Sequence, residues 1–128
     1  MTPLQEPTFL VLAALAGESL HGYGIIQRVT ELSDGRVQLR AGTLYPALDR
    51  LATDGLVELE REEVVDNRLR RYYRLTEAGA GRLSVDVERQ RRNAEAAAAR
   101  LAARSAVASP VTGPATTSRR RGTRIAPA

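Results

Sequence analysis

The chain has 128 residues and 13.9 kDa, 43% apolar and 27% charged, which is enough for one domain with a modest core and a tail but not for two domains. Its longest apolar run, Phe9 to Ala16, falls well short of the roughly 20 residues that span a bilayer, so no membrane is expected as a partner. It has no cysteine and a single histidine, His21, so neither disulfides nor a metal site nor a cofactor is expected, and with no triad or phosphate loop visible an enzyme is not expected either. No basic stretch leads into an apolar segment and cleavage site, which makes the cytoplasm the expected compartment.

The net charge of +4 is unevenly spread. Residues 1–99 hold 13 arginines against 15 acids, whereas residues 100–128 hold six arginines and no acid. The isoelectric point near 10.3 is therefore a property of the tail, and nucleic-acid binding by the folded part has to be argued from local clusters.

A first helix is expected from about Gln5 to Ala16, with Pro7 tolerated in its first turn and Phe9, Leu12, Ala13 and Ala16 at helical spacing. From Gly22 to Ser33, the stripe Ile25, Ile26, Val29 and Leu32 predicts a second helix, with Gly35 suited to a left-handed cap. A third stripe, Leu44, Ala47, Leu48 and Leu51, ends at Asp54-Gly55 and leaves Thr43, Tyr45, Asp49 and Arg50 off the buried side. The period then changes to two. Val57 and Leu59 alternate with Glu58 and Glu60, and a second strand runs from Arg70 to Leu75, with Asp66 and Asn67 as turn residues of an antiparallel hairpin. Alternation places Tyr73 and Leu75 on the helices, with Arg71 at the edge. Thr76 is placed to cap a fourth helix on which Leu83, Val87, Gln90, Ala94, Ala97 and Leu101 follow a heptad seam, which predicts a homodimer contact through Leu83, Val87, Ala94, Ala97 and Leu101. Beyond it the composition turns to Ala, Pro, Ser, Thr, Gly and Arg, which predicts disorder. The expected division is thus a DNA-binding domain over residues 1–78, a dimerisation helix over 79–107 and a disordered basic tail over 108–128.

This order of elements makes a winged helix-turn-helix, α+β and mostly α, in which the third helix enters the DNA major groove and the two-stranded wing follows the backbone or minor groove. Residues 4–83 resemble the PadR family of bacterial transcriptional regulators. The resemblance is carried by Pro3-Leu4-Gln5-Glu6-Pro7-Thr8-Phe9, His21-Gly22-Tyr23-Gly24, Gly42-Thr43-Leu44-Tyr45-Pro46-Ala47-Leu48, Asp54-Gly55-Leu56-Val57 and Arg71-Tyr72-Tyr73-Arg74-Leu75-Thr76-Glu77-Ala78-Gly79. It implies a homodimer that represses transcription from a palindromic operator in double-stranded DNA, often released by a small-molecule effector. It also implies that the start of the second helix, with His21 and Tyr23, abuts the DNA backbone.

Chemistry supplies further candidates. Gly42 lets the start of the third helix approach a phosphate closely, where unpaired N–H groups point outward. Thr43 and Tyr45 are donors for phosphates or base edges, and Arg40 and Arg50 are placed for phosphates. In the wing, Arg68, Arg70, Arg71 and Arg74 interleave with Tyr72 and Tyr73 and no acid, a local cluster that suits a nucleic-acid backbone. Competing readings stand beside these: Tyr45 as a half-buried packing residue, Arg40 as an exposed loop residue, and a wing whose arginines balance Glu58, Glu60, Glu62 and Glu63. A winged-helix protein-interaction module is the alternative for the whole chain, and a broad apolar patch on the third helix and wing would favour it. Residues 80–107 contain no Trp, Tyr or Phe, so that helix offers a flat aromatic effector no stacking partner.

Overall fold

The structure, a computed structural model, describes residues 2–108, so the tail expected from 108 onward lies almost wholly outside the described residues. It divides into two compact units, Met1–Arg89 and Gln90–Ala128. Within the first unit the elements run α1 (Glu6–Gly17), β1 (Leu20–His21), α2 (Gly22–Leu32), α3 (Ala41–Thr53), β2 (Val57–Val65) and β3 (Arg68–Leu75), followed by the start of α4 (Glu77–Ala108). This is a winged helix-turn-helix followed by a long C-terminal helix.

Helix α1 buries Leu10, Val11, Leu12, Ala14 and Leu15, a broader surface than the expected stripe, of which Ala16 is exposed and Phe9 only half-buried. The reason is compositional. Every residue from Phe9 to Ala16 is apolar, so periodicity cannot choose a face, and the helix becomes the centre around which the others pack. Ile25 and Val29 of α2 and Leu44, Leu48 and Leu51 of α3 close the core from the other side. Gly35 ends α2 at φ +81°, donating its N–H to Thr30 O at 2.8 Å, and Gly55 ends α3 at φ +77°.

The wing differs from the expected hairpin in having a third strand. Leu20 and His21 form β1, paired antiparallel with Tyr73 and Tyr72, and give a sheet of order β1-β3-β2. Two residues carry no readable period, which is why the sequence conceals β1. The hairpin itself turns on Asp66 and Asn67, both at positive φ (52° and 64°) between the paired residues Val65 and Arg68, the signature of a type I′ loop. A register shift between Leu59 and Arg61 leaves Glu60 as an extra residue in β2. Glu60 accepts a hydrogen bond from Ser19 Oγ at 2.6 Å, which with the neighbouring Arg61 holds its carboxyl below the usual range.

Thr76 caps α4 as expected: its Oγ1 accepts from Gly79 N–H at 3.0 Å and donates to Gly55 O at 2.6 Å. The helix begins so close to the end of α3 that a Cβ on Gly79 would overlap the carbonyl oxygen of Leu56 and lie 2.7 Å from Leu75 Cδ1. Gly79→Ala is therefore expected to destabilise the unit by about 2 kcal/mol, because overlap with a rigid backbone carbonyl outweighs the roughly 1 kcal/mol by which Ala is the better helix former. Gly81 meets nothing within 4 Å, so Gly81→Ala is expected to stabilise by up to about 1 kcal/mol. Urea titrations of the two variants should shift in opposite directions.

Three positions on α4 revise the expected division and seam. Leu83 is only 9% exposed and belongs to the core of its own chain, and Val87 packs against that core. Between them Asp86 is fully buried, accepting from Leu4 N–H at 2.8 Å and from Arg89 Nη2 at 2.8 Å, with Arg82 Nε 3.6 Å away. Arg82 also donates to Thr2 O. The first turns of α4 are thus part of the winged-helix unit, and the expected boundary at 78/79 falls inside it. In the second unit every described side chain from Gln90 to Val107 is exposed, Ala94, Ala97 and Leu101 among them.

Candidate nucleic-acid interface

Helix α3 starts without a side-chain cap. Arg40 occupies the N-cap position in extended conformation, its carbonyl accepting from Thr43 N–H and Leu44 N–H, and its guanidinium makes no capping bond. The first N–H groups of the helix are left for an outside acceptor, and a Cβ on Gly42 would meet nothing within 4 Å. Arg40, Gly42, Thr43, Tyr45 and Arg50 are all exposed. Pro46 sits inside the helix, beyond its first turn, and deletes one backbone hydrogen bond there.

Tyr45 is a partly packed residue of the exposed side of α3. It is 44% exposed, yet the far end of its ring lies over Gly22, where a Cβ would come within 2.7 Å of Tyr45 Cζ and closer still to the hydroxyl. Gly22, at the first position of α2, is thus the slot that holds the Tyr45 phenol against the start of the neighbouring helix. Gly22→Ala is expected to leave the fold intact, since a side-chain end can move, but to swing Tyr45 out and weaken duplex binding as much as Tyr45→Ala does. A fluorescence anisotropy titration of both variants checks this.

Around that contact His21, Gly22, Tyr23, Tyr45, Arg68, Leu69, Arg70 and Arg71 line a cleft of about 450 Å³ between the start of α2, the exposed side of α3 and the wing. Five of the expected contact residues, Tyr23, Tyr45, Arg68, Arg70 and Arg71, are brought together here. Arg50 is not. It borders a separate cleft of about 220 Å³ with Leu4, Thr8, Ala47, Asp54 and Arg82.

Ion pairing sorts the arginines. Arg71 Nε lies 3.0 Å from Glu62, Arg74 pairs with Glu58, and Arg61 pairs with Glu60 while covering the Tyr72 ring at 3.9 Å. The first two pairs follow the strand register, which sets Glu62 opposite Arg71 and Glu58 opposite Arg74, whereas Glu63, opposite Arg70, accepts from the Tyr72 hydroxyl. Arg28, Arg36, Arg82 and Arg89 are likewise paired. Among the described residues up to Arg89, Arg40, Arg50, Arg68 and Arg70 make no ion pair. The wing is thus partly balanced by its own glutamates, and its uncompensated charge is concentrated at Arg68 and Arg70, in the cleft.

The resemblance sets His21 at a helix start beside the DNA backbone but gives it no capping role. Its Nδ1 accepts from Gly24 N–H at 3.2 Å and so caps α2, and its ring stands edge-to-face with Tyr72 at 5.2 Å and 86°. The readable signal was its position, immediately before a helix-opening glycine, but histidine is not among the usual capping residues.

Residues 11–85 match the transcriptional regulator PadR-like family. A transcriptional regulator of Mycobacterium tuberculosis is 43% identical over 76 residues, which cover 59% of this chain and 67% of that protein. Among solved structures, a PadR family transcription regulator from Clostridium difficile aligns with a TM-score of 0.64 and 26% identity over 76% of this chain and 99% of its own. Bacillus subtilis PadR in complex with operator DNA aligns with a TM-score of 0.56 and 22% identity, over 62% of this chain and 46% of its own, a likeness of fold.

Proposed function

The chain belongs to the PadR-like family of transcriptional regulators, and from that premise we propose that it is a homodimeric repressor that binds a palindromic operator in double-stranded DNA. The observation that carries the DNA reading is the cleft in which Arg68 and Arg70, without acidic partners, face Tyr45 of α3 and the start of α2. A phosphate backbone running through it would meet two unneutralised guanidiniums, the N-terminal N–H groups of a helix and two phenols, Tyr23 and Tyr45. In this reading α3 enters the major groove with Thr43 and Tyr45 at base edges, its uncapped start and Arg40 hold one phosphate, and Arg50 holds another. Arg71 is a secondary contact, since an exposed pair such as Arg71–Glu62 is weak enough to be exchanged for DNA.

A dimer would form through the exposed side of α4 in the second unit, where Ala94, Ala97 and Leu101 keep the heptad spacing and small side chains permit close helix approach. Leu83 and Val87, being used in the core of their own chain, are left out of this seam. The protein would act in the cytoplasm, where its operator is. Release by a small effector is kept as part of the proposal, without aromatic stacking on residues 80–107.

Selection from random duplex DNA tests the whole. The expected product is a two-fold symmetric sequence with half-sites about 34 Å apart, one turn of the double helix. Enrichment of no sequence, with binding indifferent to duplex composition, would contradict it.

A further inference from the structure

We propose that His21 is a phosphate ligand of the DNA interface that works as a neutral imidazole, its Nδ1 held by its own helix and its Nε2–H offered into the cleft. The assignment rests on the DNA reading above and gives His21, which the resemblance sets beside the DNA backbone, a contact atom and a protonation state.

The tautomer follows from the cap. Gly24 N–H donates to Nδ1, so Nδ1 carries no proton, and the single proton of the neutral ring must sit on Nε2. Among the described residues no hydrogen-bond acceptor takes that Nε2 proton, although His21 lines the cleft beside Arg68 and Arg70. The ring is also fixed in plane, by the capping bond on one edge and by Tyr72 standing against it. A donor that is oriented and unused, next to unpaired guanidiniums and a helix N-terminus, has the chemistry of an anion site, and the anion supplied by DNA is a phosphate.

The groups around the ring favour the neutral form. Arg68, Arg70 and Arg71 lie on β3 with Tyr72, Glu63 on β2, Tyr23 on α2 and Tyr45 on α3. Burial and the charge of Arg70 hold the imidazole below its ordinary 6.5, against the opposing pull of Glu63. Protonation would also place a hydrogen on Nδ1 and remove the cap. His21 is therefore a ligand that stays largely neutral at neutral pH, and duplex affinity stays nearly flat as pH falls from about 8 to about 7.

Two isosteres separate the nitrogens. Asn reproduces the capping Nδ1 position but not the Nε2 donor, and Gln reproduces the distal donor but not the cap. His21→Asn is expected to melt like wild type and to bind the selected duplex about tenfold more weakly per subunit, as for a lost bond to a charged acceptor. Its salt dependence should equal that of wild type, because a neutral donor displaces no counterion. His21→Gln is expected to be less stable and to bind more tightly than His21→Asn. If His21→Asn does not fold, His21→Ser, another good cap, replaces it. Wild-type affinity in a folded His21→Asn or His21→Ser variant would overturn the assignment. So would a reduced salt slope in His21→Asn accompanied by wild-type affinity that rises steeply as pH falls from about 8 to about 7, since that pattern belongs to an imidazolium. Should wild type itself bind no selected duplex, the DNA reading falls and takes the assignment with it, a result distinct from failure at His21 alone.

Discussion

Asp86→Ala is expected to destabilise the winged-helix unit by about 3 kcal/mol, the low end for breaking a buried ion pair, because the partner arginines are partly solvated and keep some of their hydration. The carboxylate is fully buried, with Arg89, Arg82 and Leu4 N–H as its partners, and it ties the segment before α1 to α4. Removing it leaves Leu4 N–H without an acceptor and two guanidiniums without a counter-charge. A loss of this size should lower the melting temperature by 10 °C or more at roughly 4–8 °C per kcal/mol for a unit of this length. The pH dependence has a definite sign. Burial alone would raise the Asp86 pKa, but the hydrogen bonds from Arg89 and Leu4 and the charges of Arg89 and Arg82 outweigh it and hold the carboxyl below its ordinary 3.8. The unfolded chain therefore takes up the proton first, so the stabilisation is complete above 3.8 and is lost as pH falls through the folded value. Asp86→Asn should shed that part of the acid sensitivity, measured as a shallower decline of stability in urea titrations below pH 4.

Leu101→Asp is expected to convert the proposed dimer to a monomer at micromolar concentration and to leave the winged-helix unit folded. Leu101 is 63% exposed within its own chain and lies beyond the unit that ends at Arg89, so the change disturbs no core. In a seam with a second copy it would bury an unpaired carboxylate, at a cost on the order of several kcal/mol, more than a short alanine-rich contact contributes. Operator affinity should fall at least a hundredfold, roughly 3 kcal/mol, because a two-fold site then captures each recognition helix separately. Light scattering and a duplex titration read both effects. A variant that remains dimeric would move the interface off α4, and a monomer with wild-type affinity would remove the two-fold operator from the account.

The parts of the fold legible in the sequence are those with a clear period or a stereochemical necessity. The helices α2 and α3, the left-handed Gly35 and Gly55, the Asp66-Asn67 turn and the Thr76 cap all lie where local chemistry places them, although Leu32, the last residue of the expected α2 stripe, is exposed. The rest depended on tertiary context. A uniformly apolar α1 shows no preferred face, β1 is too short to show alternation, and an aspartate amid the arginines of α4 reads as surface until the segment before α1 closes over it. The proposed interface divides in the same way. Its residue types are legible in Tyr23, Tyr45 and the wing arginines, but which arginines remain unpaired is not, because Glu62 and Glu58 pair with the Arg71 and Arg74 opposite them whereas Glu63, opposite Arg70, accepts from the Tyr72 hydroxyl instead. The role of Gly22 as the slot for Tyr45 required the angle between two helices, which no local pattern encodes.

The central claim is that the uncompensated arginines of the wing, rather than its total charge, hold the DNA backbone. It is tested most directly by the salt dependence of duplex binding in two double variants of equal charge change, Arg68→Ala/Arg70→Ala and Arg71→Ala/Arg74→Ala. Each phosphate contact contributes about 0.9 to the slope of log affinity against log salt, so the first variant should flatten it by nearly 4 for a dimer, and the second, whose arginines begin paired with Glu62 and Glu58, by about half of that or less. Equal flattening by the two would show that only total charge matters, and slopes unchanged from wild type in both would remove the wing from the DNA interface.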